Sequence, residues 1–161
     1  MNIHIRPMQE EDSERLIALT LSAFAPIFSS FAHILGPQIF DNIYPDWQAG
    51  QANEINTAWN NEKHVPWVAE VNGIVVGLIS YELHHNDKTG EVQFLVVDPD
   101  YQNDGIGTEL NNFALQKMHE AGMRMAVVGT GGDQSHEPAQ RSYEKAGYTA
   151  LPLVRYYKML T

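Results

Sequence analysis

One stretch constrains the fold more than any other: Glu91 to Ala121, EVQFLVVDPDYQNDGIGTELNNFALQKMHEA. Val92 to Val97 is a short apolar run rich in β-branched residues, the pattern of a buried strand. Asp98-Pro99-Asp100 stops it, because proline removes a ladder donor and restricts the residue before it. After Gln102-Asn103-Asp104-Gly105-Ile106-Gly107, the residues Ile106, Leu110, Phe113, Ala114, Met118 and Ala121 recur at helical spacing. Gly122 stands where a helix C′ residue belongs, and Lys117 and His119 suit the negative end of the helix dipole. A strand, a tight turn and a helix are therefore expected in that order.

A helix that begins in glycines offers free backbone N–H groups and its positive dipole end, a ready site for phosphate or pyrophosphate. Glycine also lets the backbone approach a ligand closely. Two common phosphate ligands do not fit. Gly105-x-Gly107 is followed by Leu110 where a dinucleotide fingerprint needs a third glycine, and Gly129-x-Gly131 is followed by Gln134. No Gly-Lys-Ser/Thr exists for a nucleotide P-loop. The seven His form no i,i+4 helical pair with an acid partner and there is no cysteine, so no metal is expected.

The turn Gln102-x-x-Gly105-x-Gly107, directly after a Val-rich strand ending in Asp-Pro, resembles the acetyl-coenzyme A signature of the GCN5-related N-acetyltransferase (GNAT) family. His136-x-x-Ala139-x-x-x-Tyr143-x-x-x-Gly147-Tyr148 resembles the family's last motif. The resemblance implies that the backbone of Gln102, Asn103, Asp104, Gly105, Ile106, Gly107 and Thr108 holds the pyrophosphate of acetyl-CoA. It also implies a break in pairing at the central strand. That break would expose Leu95, Val96 and Val97 to the pantetheine arm, with the Leu95 N–H aimed at the thioester oxygen. His136 stands where relatives commonly carry Asn and would hydrogen-bond the pantetheine or a phosphate. Relatives often carry Arg or Lys where this turn has Asn103 and Asp104.

Composition narrows the function classes. The 161 residues are expected to form one N-acetyltransferase domain, and 43% of them are hydrophobic, which suits a globular chain. No apolar run is expected to reach the length of a membrane span, and no signal peptide opens the chain. The lack of cysteine excludes disulfides and fits a cytoplasmic protein. Twenty acidic residues against ten basic ones give −10 and leave no basic cluster for nucleic acid. The negative field aids solubility and also suits a cationic amine acceptor, small molecule or peptide.

Along the chain, Ile3-His4-Ile5-Arg6 reads as a strand. Glu11 to Ala25 reads as a helix, with Asp12 or Ser13 as its cap. Pro26 to Lys63 reads as one or two short helices among turns; its aromatics suit a substrate pocket or a homodimer contact. Asn72-Gly73 marks a hairpin between Pro66–Val71 and Ile74–His84. Met125 to Val128 is a short buried strand, a helix follows from Pro138 to Gly147, and Tyr148 to Leu160 holds two strand-like pieces broken by Pro152. The fold class is α/β. It has a mixed sheet with an antiparallel front half and one parallel crossover, of about six to seven strands flanked by helices, in agreement with the GNAT-like fold.

Acetyl transfer to an amine needs a base, an acid, carbonyl polarisation and juxtaposition of the two substrates. Tyr143 matches the family's tyrosine near the cofactor sulfur and is the candidate acid. Glu91 matches the offset of a family glutamate that serves as base. Period 2 sets Glu91, Gln93 and Leu95 on one strand face. His84 and His85 are rival bases, of which at most one should face a cleft. Ser142 is expected to face elsewhere. The expected function is acetyl-CoA-dependent N-acetyl transfer to a primary amine by direct attack. The alternatives are a non-catalytic acyl-CoA sensor or interaction module on the same fold, and transfer to a hydroxyl.

Overall fold

The computed structural model describes residues 1–161. Five strands form one sheet in sequential order: β1 (Ile3–Pro7), β2 (His64–Val71), β3 (Ile74–His84), β4 (Thr89–Val97) and β5 (Met125–Val128). The first four pair antiparallel, and β5 joins β4 in parallel. The hairpin forms at Asn72-Gly73, where both residues take the positive φ that a tight turn demands. Helix α4 (Ile106–Glu120) makes the crossover from β4 to β5.

Both faces of the sheet are covered. On one face Ile106, Leu110, Ala114 and Met118 of α4 pack on Val76, Ile79, Tyr81 and Val92. On the other face α1 (Ser13–Leu35) and α3 (Trp47–Asn60) bring Leu16, Leu19, Ile55 and Ala58 onto Val68, Val75, Leu78 and Val96. Gly90 allows α4 to lie close, since a Cβ there would meet the Met118 sulfur at 2.5 Å. Arg15 of α1 reaches across to donate to the Val75 carbonyl and to the buried Asp98 carboxylate at the end of β4.

Four sequence expectations need correction. The first helix does not stop at Ala25; it runs through Pro26 to Leu35, and α2 (Pro37–Ile43) and α3 follow. Its aromatic contacts outweigh one missing hydrogen bond: Phe28 stacks on Trp47 at 4.7 Å and meets Tyr44 edge-on at 5.1 Å. That helix, counted from Glu10, is also long and apolar enough to cross a membrane. It instead lays Leu16, Leu19, Thr20 and Phe28 into the core. Asp12 does not cap it by its side chain; the carboxylate takes Arg6 and the Gln9 N–H. Finally, the sheet has five strands, not six or seven, because Tyr148 to Leu160 forms no strand. Leu151, Leu153, Val154, Tyr156 and Leu160 lie largely exposed, and apolar and aromatic residues alone cannot make a strand without a partner edge.

Candidate active site

The site is built where β4 loses its neighbour. β5 pairs with β4 only from Thr89 to Val92, so the β5-facing edge of residues 93–97 has no partner strand. A bulge on the other side coincides with this break: Ser80 pairs with Phe94 and Tyr81 with Val92, leaving Gln93 as the extra residue. The bulge overturns the expected face assignment. Phe94 and Val96 pack toward α1, while Leu95 and Val97 pack toward α4, so Leu95 does not share a face with Glu91 and Gln93.

The turn after β4 follows directly on this unpaired edge. Asn103 and Gly105 take positive φ (67° and 84°), and Gly105 is the N-cap of α4. The first intrahelical bond runs from the Glu109 N–H to the Gly105 carbonyl, so the N–H groups from Asn103 to Thr108 have no acceptor within the chain. Gln102 folds back and donates to the Val97 carbonyl at 3.1 Å. Asp104 is exposed to water, where solvent screens its charge. Free donors at a helix start and an unpaired strand edge suit the pyrophosphate and the amide-bearing arm of coenzyme A.

A cleft of about 290 Å³ opens over the broken edge. Gln93, Phe94 and Leu95 form its floor, with Val128 to Thr130 at the end of β5. Phe24 and Ile27 of α1 and Gln51 and Glu54 of α3 form one wall. His136, Ala139 and Tyr143 form the other, from the start of α5 (Glu137–Lys145) and along one of its faces. Tyr143 is largely buried, and burial, with the Tyr148 ring edge-on at 5.7 Å, pushes its phenol up to about 12. Ser142 faces α4, where buried Asn111 donates to it at 3.2 Å; it anchors α5 and lies outside the cleft.

The other candidates gather elsewhere. Glu91 does not line this cleft. Gln93 stands between, donating to Glu91 at 2.8 Å and to Glu82 at 3.2 Å. His84 lies 3.6 Å from Glu91 and 3.9 Å from Glu82. His84 and His85 both border a separate, open depression with Glu62, Lys63 and Asp87, despite the alternation expected of a strand, since His85 lies past the end of β3. No group of three or more His, Cys, Asp or Glu side chains is arranged to hold a metal. No motif in the sequence pointed to Asp133, whose carboxylate binds His136, Ser135 and Ser30. Nor did it show that the aromatic segment after Pro26 supplies Gln51 and Glu54 to the cleft.

Known proteins share this fold. The Acetyltransferase (GNAT) family profile matches residues 30–148, which include the broken strand, the glycine turn and Tyr143. The chain belongs to the GNAT family. The aminoalkylphosphonate N-acetyltransferase of Salmonella typhimurium is 36% identical over 81 residues, covering 48% of this chain and 51% of that protein. The mycothiol acetyltransferase of Thermomonospora curvata is 32% identical over 83 residues, covering 52% of this chain and 27% of that one. The match thus spans about half or less of these curated relatives. Among solved structures, the PaiA N-acetyltransferase of Thermoplasma acidophilum, in complex with coenzyme A, superposes with a TM-score of 0.68 at 21% identity, over 92% of this chain and 91% of its own. The aminoglycoside N-acetyltransferase AAC(6')-Iy, in complex with a bisubstrate analogue, gives 0.68 at 14% identity over the whole of both chains. At these identities the likeness establishes the GNAT fold, a mixed sheet flanked by helices.

Proposed function

We propose that this GNAT protein transfers an acetyl group from acetyl-CoA to a primary amine by direct attack within a ternary complex. The observation that carries the reading is the unpaired β4 edge at residues 93–97, which runs from the cleft lined by Gln93, Leu95 and Tyr143 to the turn whose N–H groups from Asn103 to Thr108 are free. The N–H row and the α4 dipole hold the pyrophosphate, and the backbone of Leu95, Val96 and Val97 pairs with the pantetheine arm as a strand would. When bound, coenzyme A supplies a thioester-activated acetyl group and a sulfur leaving group.

Tyr143 acts as the proton donor. A phenol pushed up to about 12 stays protonated throughout the working pH range. Complete transfer to a thiolate of pKa about 8.5 would run uphill by about 5 kcal/mol. The phenol therefore first donates a hydrogen bond as negative charge builds on sulfur, and yields its proton only when that charge is nearly complete. Glu91 lies outside the cleft and holds Gln93 at its floor by accepting from its amide. The acceptor is a small cationic amine with an apolar part, matched by Glu54 and by Phe24, Ile27 and Phe94 on the α1 and α3 side. The relatives named for aminoalkylphosphonates and aminoglycosides support an amine of this size.

The test is thiol release from acetyl-CoA with and without aminomethylphosphonate, putrescine or kanamycin. Amine-dependent release is expected; acetyl-CoA binding with no stimulation by any amine would instead favour a non-catalytic acyl-CoA sensor. Tyr143→Phe should lower turnover by about 100-fold, the size of a lost general acid, with acetyl-CoA affinity nearly unchanged. An unchanged rate removes Tyr143 as the acid.

A further inference from the structure

His136 is held as a catalytic imidazole is held. Its Nδ1 lies 2.6 Å from the Asp133 carboxylate, and the other carboxylate oxygen takes the Ser30 hydroxyl of α1 at 2.7 Å. Ser135 donates to the same carboxylate and lies 3.3 Å from Nδ1. Phe31 of α1 stacks on the ring at 5.5 Å. Gly131 is required for this packing, since a Cβ there would stand 2.3 Å from Nδ1; Gln140 pins the loop by donating to the Gly131 carbonyl at 2.8 Å. These contacts fix the ring plane and the tautomer. A carboxylate accepts only, so Nδ1 carries the proton and Nε2 carries the lone pair. Nε2 has no partner in the chain, and His136 lines the cleft that holds Tyr143.

We propose that Asp133 and His136 form a base dyad in which the His136 Nε2 takes the proton of the acceptor amine, Asp133 being the positioning residue. This rests on reading the cleft as the site of acetyl transfer. It gives His136 a part other than the hydrogen bond to the cofactor that its place in the motif implies. His136 and Tyr143 are seven residues apart, two helical turns on one face, which separates them by about 10 Å along α5. Base and acid thus flank the floor formed by Gln93 to Leu95, with Ala139 between them leaving room for substrate.

The proton balance closes. The acceptor ammonium first releases one proton to solvent; the neutral amine nitrogen then bonds to the acyl carbon and the carbon–sulfur bond breaks. The amine proton goes to Nε2, and the sulfur takes its proton from the Tyr143 hydroxyl. Passing the Nε2 proton through water to the phenolate restores both groups. Asp133 keeps its contact with Nδ1 throughout. Burial alone would raise that carboxyl, but the hydrogen bonds from Ser135, Ser30 and His136 outweigh it and hold it well below the usual range. The other titratable groups around the ring are Glu54 from α3 and Tyr143 from α5; α1 presents the neutral Ser30 and Phe31.

The test combines kinetics with a measurement on the unliganded protein. With acetyl-CoA and whichever of aminomethylphosphonate, putrescine or kanamycin is acetylated, His136→Gln should lower kcat/KM for the amine by about 100-fold or more at neutral pH. Its acetyl-CoA Kd, read by calorimetry, should stay within about threefold, as expected of a group that serves the amine and not the cofactor. Asp133→Asn should lower kcat/KM for the amine by about 10-fold or more with the acetyl-CoA Kd again within about threefold, because the ring loses the carboxylate that orients it. In 15N NMR of the unliganded protein, which needs no turnover, the same change should lose the single Nδ1–H tautomer of His136. A His136→Gln rate within threefold of wild type, or an unchanged tautomer in Asp133→Asn, overturns the dyad while the acetyltransferase stands. A Kd that rises in step with the lost rate makes His136 a cofactor ligand and also overturns it. If the wild type acetylates none of the amines, the acetyl-transfer reading fails and this proposal fails with it.

Discussion

Replacing Gly107 by alanine should pull stability and cofactor affinity in opposite directions. Gly107 is the second residue of α4, with ordinary helical φ, so alanine meets no backbone strain there. A Cβ would find only the Ser142 hydroxyl and a Val97 methyl, each at 3.8 Å, which is normal contact. The fold should therefore gain about 0.5–1 kcal/mol from replacing a helical glycine. For a chain of this length that is a Tm rise of about 1–4 °C. The new methyl, however, points toward Val97 and α5, into the wedge between the β4 end and the N–H row. Pushing a pyrophosphate away from one or two charge-assisted N–H bonds costs about 1.5–3 kcal/mol each, so coenzyme A should bind at least about 10-fold more weakly. Differential scanning fluorimetry and calorimetric titration on the same preparation read both quantities. Unchanged coenzyme A affinity in a protein that is equally or more stable would refute the assignment of this turn.

Two further outcomes test the framework. Gly90→Ala should destabilise by about 1–3 kcal/mol, read by urea unfolding, because its methyl displaces Met118 from β4; pairing it with Met118→Ala should recover part of the loss. Arg6→Ala should cost about 3 kcal/mol at neutral pH by stranding the buried Asp12. The Arg6 guanidinium, above all by its hydrogen bonds, holds the Asp12 carboxyl below its ordinary value. That contribution is complete above the unfolded pKa of about 3.9 and is lost as pH falls through the folded value. The wild-type advantage over Arg6→Ala should thus shrink in unfolding curves taken near pH 3, and a gap that widens on acidification contradicts the pairing.

The parts legible in sequence are those whose signal is local. The Asn72-Gly73 hairpin, the β4–α4 unit and the short strand at Met125 to Val128 each follow from residues within one or two turns of chain. The glycine turn and the Tyr143 motif were legible in the same way, as fixed spacings; the turn leaves its N–H groups free and Tyr143 lines the cleft. The tail shows the limit of such reasoning: Tyr148 to Leu160 reads as two strand-like pieces broken by Pro152, yet a strand exists only where another edge receives it. Pro26 shows the converse, a breaker overruled by Phe28, Trp47 and Tyr44 packing around it.

The sequence by itself determined the class of ligand. Glycines at a helix start, with no third glycine and no Gly-Lys-Ser/Thr, narrow the phosphate partner, because backbone N–H groups and φ freedom are properties of the residues themselves. Tertiary structure alone decided which side chains share the cleft. The Gln93 bulge changed the faces of β4, set Glu91 behind Gln93, and left Leu95 facing α4. Asp133 became a partner of His136 only once Ser30, 103 residues away in sequence, closed over its other oxygen. A strand's period is written in its residues, but a one-residue register shift and a contact across two helices depend on what the rest of the chain packs against.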